Sequence, residues 1–244
     1  MKLTVIGHWG GFPKAGEASS GYLLEHNGFH LLIDCGSAVL SQLQNYISPD
    51  DLDAVIISHY HPDHIADIGV LHHALLISKY VNGFEKTLPI YGHVKDVNSF
   101  QSLTYKDISK GIAYIPDQKI EVGPFKIEVL ETKHPVACYA MKISVDGKTL
   151  IYTADTAYFE ELVEFAEGAD MLLCESNFYK GMDGTAAGHM TSEEAGSLAK
   201  QANVETLILT HLPHFGELQQ LVTEAKENFN GQVILASQGL EIVL

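Results

Sequence analysis

The segment "SHYHPDHIAD" (58–67) places His59, His61, Asp63 and His64 within six positions, around a single proline. Imidazoles and a carboxylate at that density suit metal ligation. Alternation along an extended segment sends His59 and His61 to one side. Pro62 then turns the chain, so Asp63 and His64 leave it in another direction. One turn can therefore serve two adjacent ions. The blander reading is a helix start with an acidic cap and incidental histidines, and three histidines in six residues weigh against it.

One segment cannot saturate two ions. Three further donors follow apolar runs: His134 after "KIEVLETK", Asp155 after "LIYTA" and His211 after "TLILT". Each sits where a strand is expected to end, so all three are expected on one rim of the fold. A lone histidine at a strand end is usually structural. Three such residues beside a four-donor turn argue for ligation.

The elements that must position these residues alternate along the chain. "LTVIG" (3–7) has strand texture and leads into the Gly-rich loop "GHWGGFPKAGEASS". "GYLLEHNGFHLLIDCG" gives two strands about an Asn-Gly turn. A short helix over 38–47, a buried strand over 53–59, a helix over 65–80 and a strand over 89–93 follow. The second half repeats the scheme. "FKIEVLETKH" is a strand, and "YAMKISVDGKTLIYTAD" is a hairpin about Asp-Gly. Helices over 158–167, 191–202 and 216–229 alternate with the strands "DMLLCES", "TLILTH" and "QVILASQGLEIVL". Each half thus has a hairpin ending in Asp (Asp34, Asp155) and then a strand ending in His. Two sheets, each covered by helices on its outer face, would use every element. The expected fold is α/β, a four-layer αββα sandwich with pseudo-twofold halves, as a single domain over 1–244.

HxHxDH followed by His134, Asp155 and His211 resembles the metallo-β-lactamase superfamily, and the similarity spans the whole chain. The resemblance implies that His59, His61 and His134 hold one metal ion. Asp63, His64 and His211 hold the other, and Asp155 bridges the two. It also matches Asp34 to a carboxylate that orients a ligand histidine, although a strand-end turn would itself accommodate Asp34. Two divalent ions per chain are implied. Nitrogen and oxygen donors without thiolate suit zinc, with manganese or iron as alternatives. Such a pair polarises a substrate oxygen and brings the pKa of a shared water into the neutral range. Hydrolysis is the implied reaction.

"MLLCESNF" (171–178) and "GHMTSEEAG" (188–196) are similar to the phosphodiesterase branch, the ribonuclease Z-like proteins. That similarity assigns leaving-group protonation to His189, supported by Glu175, so Asp63, His189 and Glu175 are the candidate catalytic residues. The chemistry is sound, since a departing alkoxide needs a proton and a histidine charged by a carboxylate can give it. Thr191 and Glu194 also fit a capping box, T-x-x-E, and both readings can hold together. Ribonuclease Z binds tRNA through a protruding Gly/Pro-rich arm, for which the roughly thirty residues between Asp155 and His189 leave no room. The N-terminal loop also lacks the arginine expected of that family.

Composition narrows the partners. The 244 residues carry a formal charge of −16, and all 15 basic residues are lysines. Long nucleic acid, bound by neutralising phosphates, is disfavoured. A small phosphodiester, a cyclic nucleotide or a short nucleotide, is the expected substrate. The alternatives are an ester, lactone or thioester hydrolase on the same metals, or a relative of the tRNA 3′-processing endonuclease. No stretch approaches the ~20 apolar residues of a membrane span. Three cysteines at no metal-like spacing, with no secretory signal, point to the cytoplasm. Helix 65–80 is apolar enough either to contact a second copy in a homodimer or to face the core. His8 borders the Gly-rich loop, and His214 lies three residues after His211. His26, His30, His72, His73 and His93 are given structural or solvated roles.

Overall fold

The apolar runs pair into two seven-stranded mixed sheets. The computed structural model describes residues 1–83, 85–116 and 118–244. They form two units, Met1–Ile115 with Gln238–Val243, and Pro116–Ser237 with Leu244.

In the first unit, β1 (Lys2–Gly7), β2 (Gly21–His26) and β3 (Phe29–Ile33) form an antiparallel ribbon. Asn27 (φ 50°) and Gly28 (φ 80°) turn the β2–β3 hairpin as an Asn-Gly pair should. β4 (Ala54–Ile56), β5 (Leu88–Gly92) and β6 (Ser109–Ala113) then add in parallel to β3. The helices α1 (Val39–Leu43), α2 (Pro62–Ile65), α3 (Ile68–Asn82) and α4 (Val97–Ser102) lie in the connections. α3 buries Ile68, Leu71, His72, Leu75 and Ser78, the spacing of one helical face. Its apolar members join Val55, Ile57, Leu88, Ile90 and Ile108 in the core. Each fully buried leucine there contributes about 1.5–3 kcal/mol.

The expected single helix over 65–80 is two. It breaks at Ala66 and Asp67, where the Asp67 N–H bonds the Cys35 carbonyl (3.1 Å) and its carboxylate accepts the Leu40 N–H (2.9 Å). α3 then restarts and runs to Gly83 (φ 71°) as its terminator.

In the second unit, β7 (Ile120–Val122), β8 (Phe125–Glu131), β9 (Tyr139–Val145) and β10 (Lys148–Tyr152) are antiparallel. Asp146 and Gly147, both at positive φ, turn the β9–β10 hairpin. β11 (Met171–Glu175), β12 (Thr206–Thr210) and β13 (Gln232–Leu235) continue in parallel. The connecting helices are α5 (Glu160–Ala166), α6 (Ser192–Gln201) and α7 (Leu218–Asn228). Each sheet is therefore an antiparallel ribbon followed by three parallel additions, the internal repeat legible in the sequence.

The final run does not stay one strand. It breaks at Gly239 (φ 81°), whose N–H bonds the Val5 carbonyl at 2.9 Å. β14 (Glu241–Val243) then pairs with β1 in the first unit. Among the described residues, no helix is long and apolar enough to cross a membrane.

Candidate functional site

In the first unit, His59 follows β4, and Asp63 and His64 occupy the first turn of α2. The short strand is buried throughout, so the chain leaves the core with its donors already fixed. Tyr114, itself buried, anchors the strand end by donating to the Ile57 carbonyl (2.7 Å). Asp34, at φ 56° after β3, is fully buried and organises the turn. Its carboxylate accepts the Ser58 N–H (2.7 Å), the Ser58 hydroxyl (2.8 Å) and His64 Nδ1 (2.7 Å). The Ser58 oxygen lies 3.1 Å from His59 Nδ1. Asp34 thus orients His64 directly and His59 through Ser58, setting both tautomers with Nε2 as acceptor.

The remaining ring atoms converge. His59 Nε2 lies 3.1 Å from His61 Nδ1, and His64 Nε2 lies 3.6 Å from an Asp63 oxygen. Two nitrogens bound tetrahedrally to one ion at 2.0–2.1 Å stand about 3.4 Å apart. Electron-rich atoms facing each other at these distances fit a cation between them. Gly36 lies against this turn so closely that a Cβ there would fall 1.9 Å from the Asp63 carbonyl. The Gly11 N–H, from the Gly-rich loop, donates to the Asp63 carboxylate at 2.7 Å.

In the second unit, His134, Asp155 and His211 stand beyond the ends of β8, β10 and β12. His134 Nδ1 donates to the Gly188 carbonyl (3.0 Å), which leaves Nε2 toward Asp155 at 4.0 Å. His211 Nε2 is 3.3 Å from the same Asp155 oxygen. Burial lowers the pKa of His134, against the opposing pull of Asp155. A neutral imidazole is the form a metal requires. The donor set and spacing again fit a shared cation.

Beside them lies a carboxylate–imidazole pair. Glu175, at the end of β11 and fully buried, accepts His189 Nδ1 (2.9 Å), the Thr156 N–H (2.7 Å) and the Met190 N–H (3.1 Å). The His189 ring packs 5.3 Å from His134 and 5.2 Å from His211, centre to centre. Glu175, His189 and His211 each offer an atom within 4.8 Å of the others. Glu175 is already engaged by two amides, so its place is behind His189. Thr191 and Glu194 do form the capping box, and it anchors α6 immediately after His189.

Each unit therefore gathers its own expected donors: His59, His61, Asp63 and His64 in the first, His134, Asp155, His211, Glu175 and His189 in the second. Sequence reasoning missed Ser58, Gly11, Thr156 and Gly188, which act through backbone groups or a hydroxyl. Asn177 was missed too, with Nδ2 3.0 Å from the His211 carbonyl. Gly188, at φ 74° just before His189, had one visible signal, its glycine identity. The remaining histidines have settings of their own. His72 is buried, bonded to Ser109 (2.8 Å) and stacked on Tyr105, and His93 packs on Tyr60. His73 is exposed, while His26, His30 and His214 are half-buried. His8 is buried against Trp9.

Two mixed sheets flanked by helices, with histidine and aspartate donors at the strand ends, define a metallo-hydrolase of the β-lactamase fold. A family model described as "Beta-lactamase superfamily domain" matches residues 30–212, and the chain belongs to that family. It is 54% identical over 239 residues to the "Probable metallo-hydrolase YhfI" of Bacillus subtilis (strain 168), covering 98% of each chain. The crystal structure of YhfI superposes with a TM-score of 0.98 over 99% of this chain and 98% of that one. Ribonuclease Z of Haloarcula marismortui is 24% identical over 307 positions, covering 99% of this chain and 96% of that protein. A diphosphatase of the PhnP family shares the fold, with a TM-score of 0.78 at 18% identity over 100% and 97% of the two chains.

Proposed function

We propose that the protein hydrolyses small phosphodiesters. His59, His61, Asp63, His64, His134, Asp155 and His211 would hold two divalent ions, zinc by donor type. Bound there, such ions supply Lewis acidity to phosphoryl oxygens and bring a water's pKa toward neutrality. The chain's own residues do the rest.

The observation that carries the reading is the Glu175–His189 pair. Glu175 is held by two amide N–H groups, so its orientation is fixed before substrate arrives. Its bond to Nδ1 selects the tautomer and stabilises the imidazolium. His189 then presents Nε2–H to the departing oxygen. As the P–O bond breaks, that oxygen takes the proton and His189 returns to neutral.

Substrate size follows from what the loops lack. Between Asp155 and His189 the chain holds α5, β11 and the segment 176–188 with its 3-10 turn Thr185–Ala187, and among the described residues no further helix or strand is inserted there. The match to the Haloarcula ribonuclease Z spans more positions than this chain possesses, so that relative carries extra segments. With a charge of −16, this favours a cyclic nucleotide or a short nucleotide over long nucleic acid. A reducing cytosol fits three buried cysteines without a disulfide among them. A homodimer would use Val70, Ile77, Tyr80 and Val81, which α3 leaves exposed.

The test is leaving-group dependence. His189→Ala is expected to lose about 10²–10⁴-fold on an alkyl phosphodiester. The loss should be far smaller on bis-p-nitrophenyl phosphate, whose leaving group needs no proton. Equal losses on both would reject the proton-donor role.

A further inference from the structure

Beside His134, within the second unit, lies an open cavity of about 420 Å³ whose walls include Thr132, Lys133, Pro135, Thr185 and Gly188. We infer that this cavity receives the leaving group, and that Lys133 selects a leaving group carrying a terminal phosphate. This rests on the phosphodiesterase reading above and names its substrate more narrowly.

Chain connectivity gives the side. Gly188 lines the cavity and is followed directly by His189. The Gly188 carbonyl accepts His134 Nδ1, so the wall of the cavity and the orientation of His134 are one structure. The His189 ring packs 5.3 Å from that of His134, which also lines the cavity, so a group that takes its proton from His189 departs along this wall. The volume falls in the range of small-molecule pockets and admits a nucleoside-sized group.

Charge gives the selectivity. Lys133 is the one lysine on the wall, and its backbone is fixed on both sides. Its N–H donates to Thr156 Oγ1 (3.1 Å), and its carbonyl accepts the Ala157 N–H (3.0 Å). The side chain is exposed, with Nζ 5.8 Å from the Phe159 ring centre. Among the described residues, no carboxylate lies within ion-pair distance of it. Thr132 spends its hydroxyl on the Asp155 carbonyl (2.8 Å), and the Thr185 amide holds Asp183 (2.9 Å). Lys133 is thus the cation left to face a ligand. The overall charge of −16 opposes an extended polyanion lying across the surface. Screening confines that field to about 8 Å at physiological salt, so one lysine at contact range decides the fate of a single phosphate. The combination admits one terminal phosphate and disfavours a long strand.

The step balances without a co-reactant. Water oxygen forms the new P–O bond, the bond from phosphorus to the 3′-oxygen breaks, and that oxygen takes the His189 proton. In pApA the leaving nucleoside carries the 5′-phosphate, whereas in ApAp the extra phosphate is on the other nucleoside.

The experiment measures kcat/KM of metal-loaded protein on ApA, pApA and ApAp, with bis-p-nitrophenyl phosphate as reference. pApA should exceed ApA about tenfold, with no comparable gain for ApAp. Lys133→Gln should erase the pApA/ApA ratio, and Lys133→Arg should keep most of it. Equal rates on pApA and ApA, an equal gain for ApAp, or a ratio that survives Lys133→Gln would overturn this inference while turnover of the reference substrate preserves the parent reading. Absence of hydrolysis on all four would overturn both.

Discussion

Replacing Gly188 by alanine tests the link between the His134 side chain and His189. A Cβ at this position would lie 2.6 Å from Pro135 Cδ, 2.8 Å from His134 Nδ1 and 2.9 Å from His134 Cα. Ordinary contacts are about 3.5–4.0 Å, so the loop must retreat by about 1 Å. The residue also sits at φ 74°, where alanine costs about 1–2 kcal/mol relative to glycine. Overpacking adds about 1–3 kcal/mol, so the total loss is about 2–5 kcal/mol. The retreat lengthens the 3.0 Å bond that orients His134 and carries His189 with it. A displacement of about 1 Å at reacting groups costs roughly 10²-fold in rate. Gly181 is the control: its φ is 83°, and a Cβ there meets nothing within 4 Å. Gly181→Ala should show the backbone strain alone and keep its rate. The assay pairs urea unfolding with kcat on an alkyl phosphodiester, whose leaving group needs the His189 proton, for both variants. If Gly188→Ala matched Gly181→Ala in both measurements, the coupling through residue 188 would be wrong.

Asp34→Asn should weaken metal binding about 10–100-fold, measured by competition with a chelator, because the amide cannot serve Ser58 and His64 as the carboxylate does. Unchanged affinity would remove Asp34 from the orienting role. His8 supplies a pH prediction. Burial, with a smaller push from Lys14 and against Glu17, lowers its pKa to about 4 from an ordinary value of 6.5. The unfolded chain then binds more protons between those values, so stability is intact above pH 6.5 and falls as pH drops toward 4, by roughly 3 kcal/mol. Metal-free His8→Gln should unfold with a flatter pH dependence across that window, and a slope equal to wild type would refute the assignment.

Legibility in the sequence followed how local each feature is. The turn from His59 to His64 carries four donors in six residues, so its chemistry is visible without a fold. The hairpins at Asn27–Gly28 and Asp146–Gly147 were equally clear, because only a few dipeptides tolerate two positive φ angles. His134, Asp155 and His211 were found because apolar runs end just before them. The break at Asp67 was not visible, because it depends on bonds to Cys35 and Leu40, some thirty residues away. The return of β14 to β1 was hidden for a similar reason, since it pairs residues from opposite ends of the chain. β6, β7 and α4 are short and bury at most one residue each, and local pattern carries little signal for such elements. Beside the Ser58 hydroxyl and the Asn177 side-chain amide, the supports of the site act through backbone amides and carbonyls, which any residue type can supply, so composition did not mark them.

The central claim is that these residues cleave phosphodiesters, and a substrate panel tests it most directly. Protein loaded with zinc or manganese, its metal content measured alongside, is assayed on a cyclic nucleotide, a dinucleotide, a lactone and a thioester. The account predicts about two ions per chain and a kcat/KM for the phosphodiesters well above those for the lactone and thioester. Efficient turnover of the lactone or thioester, with the phosphodiesters untouched at full metal content, would contradict it.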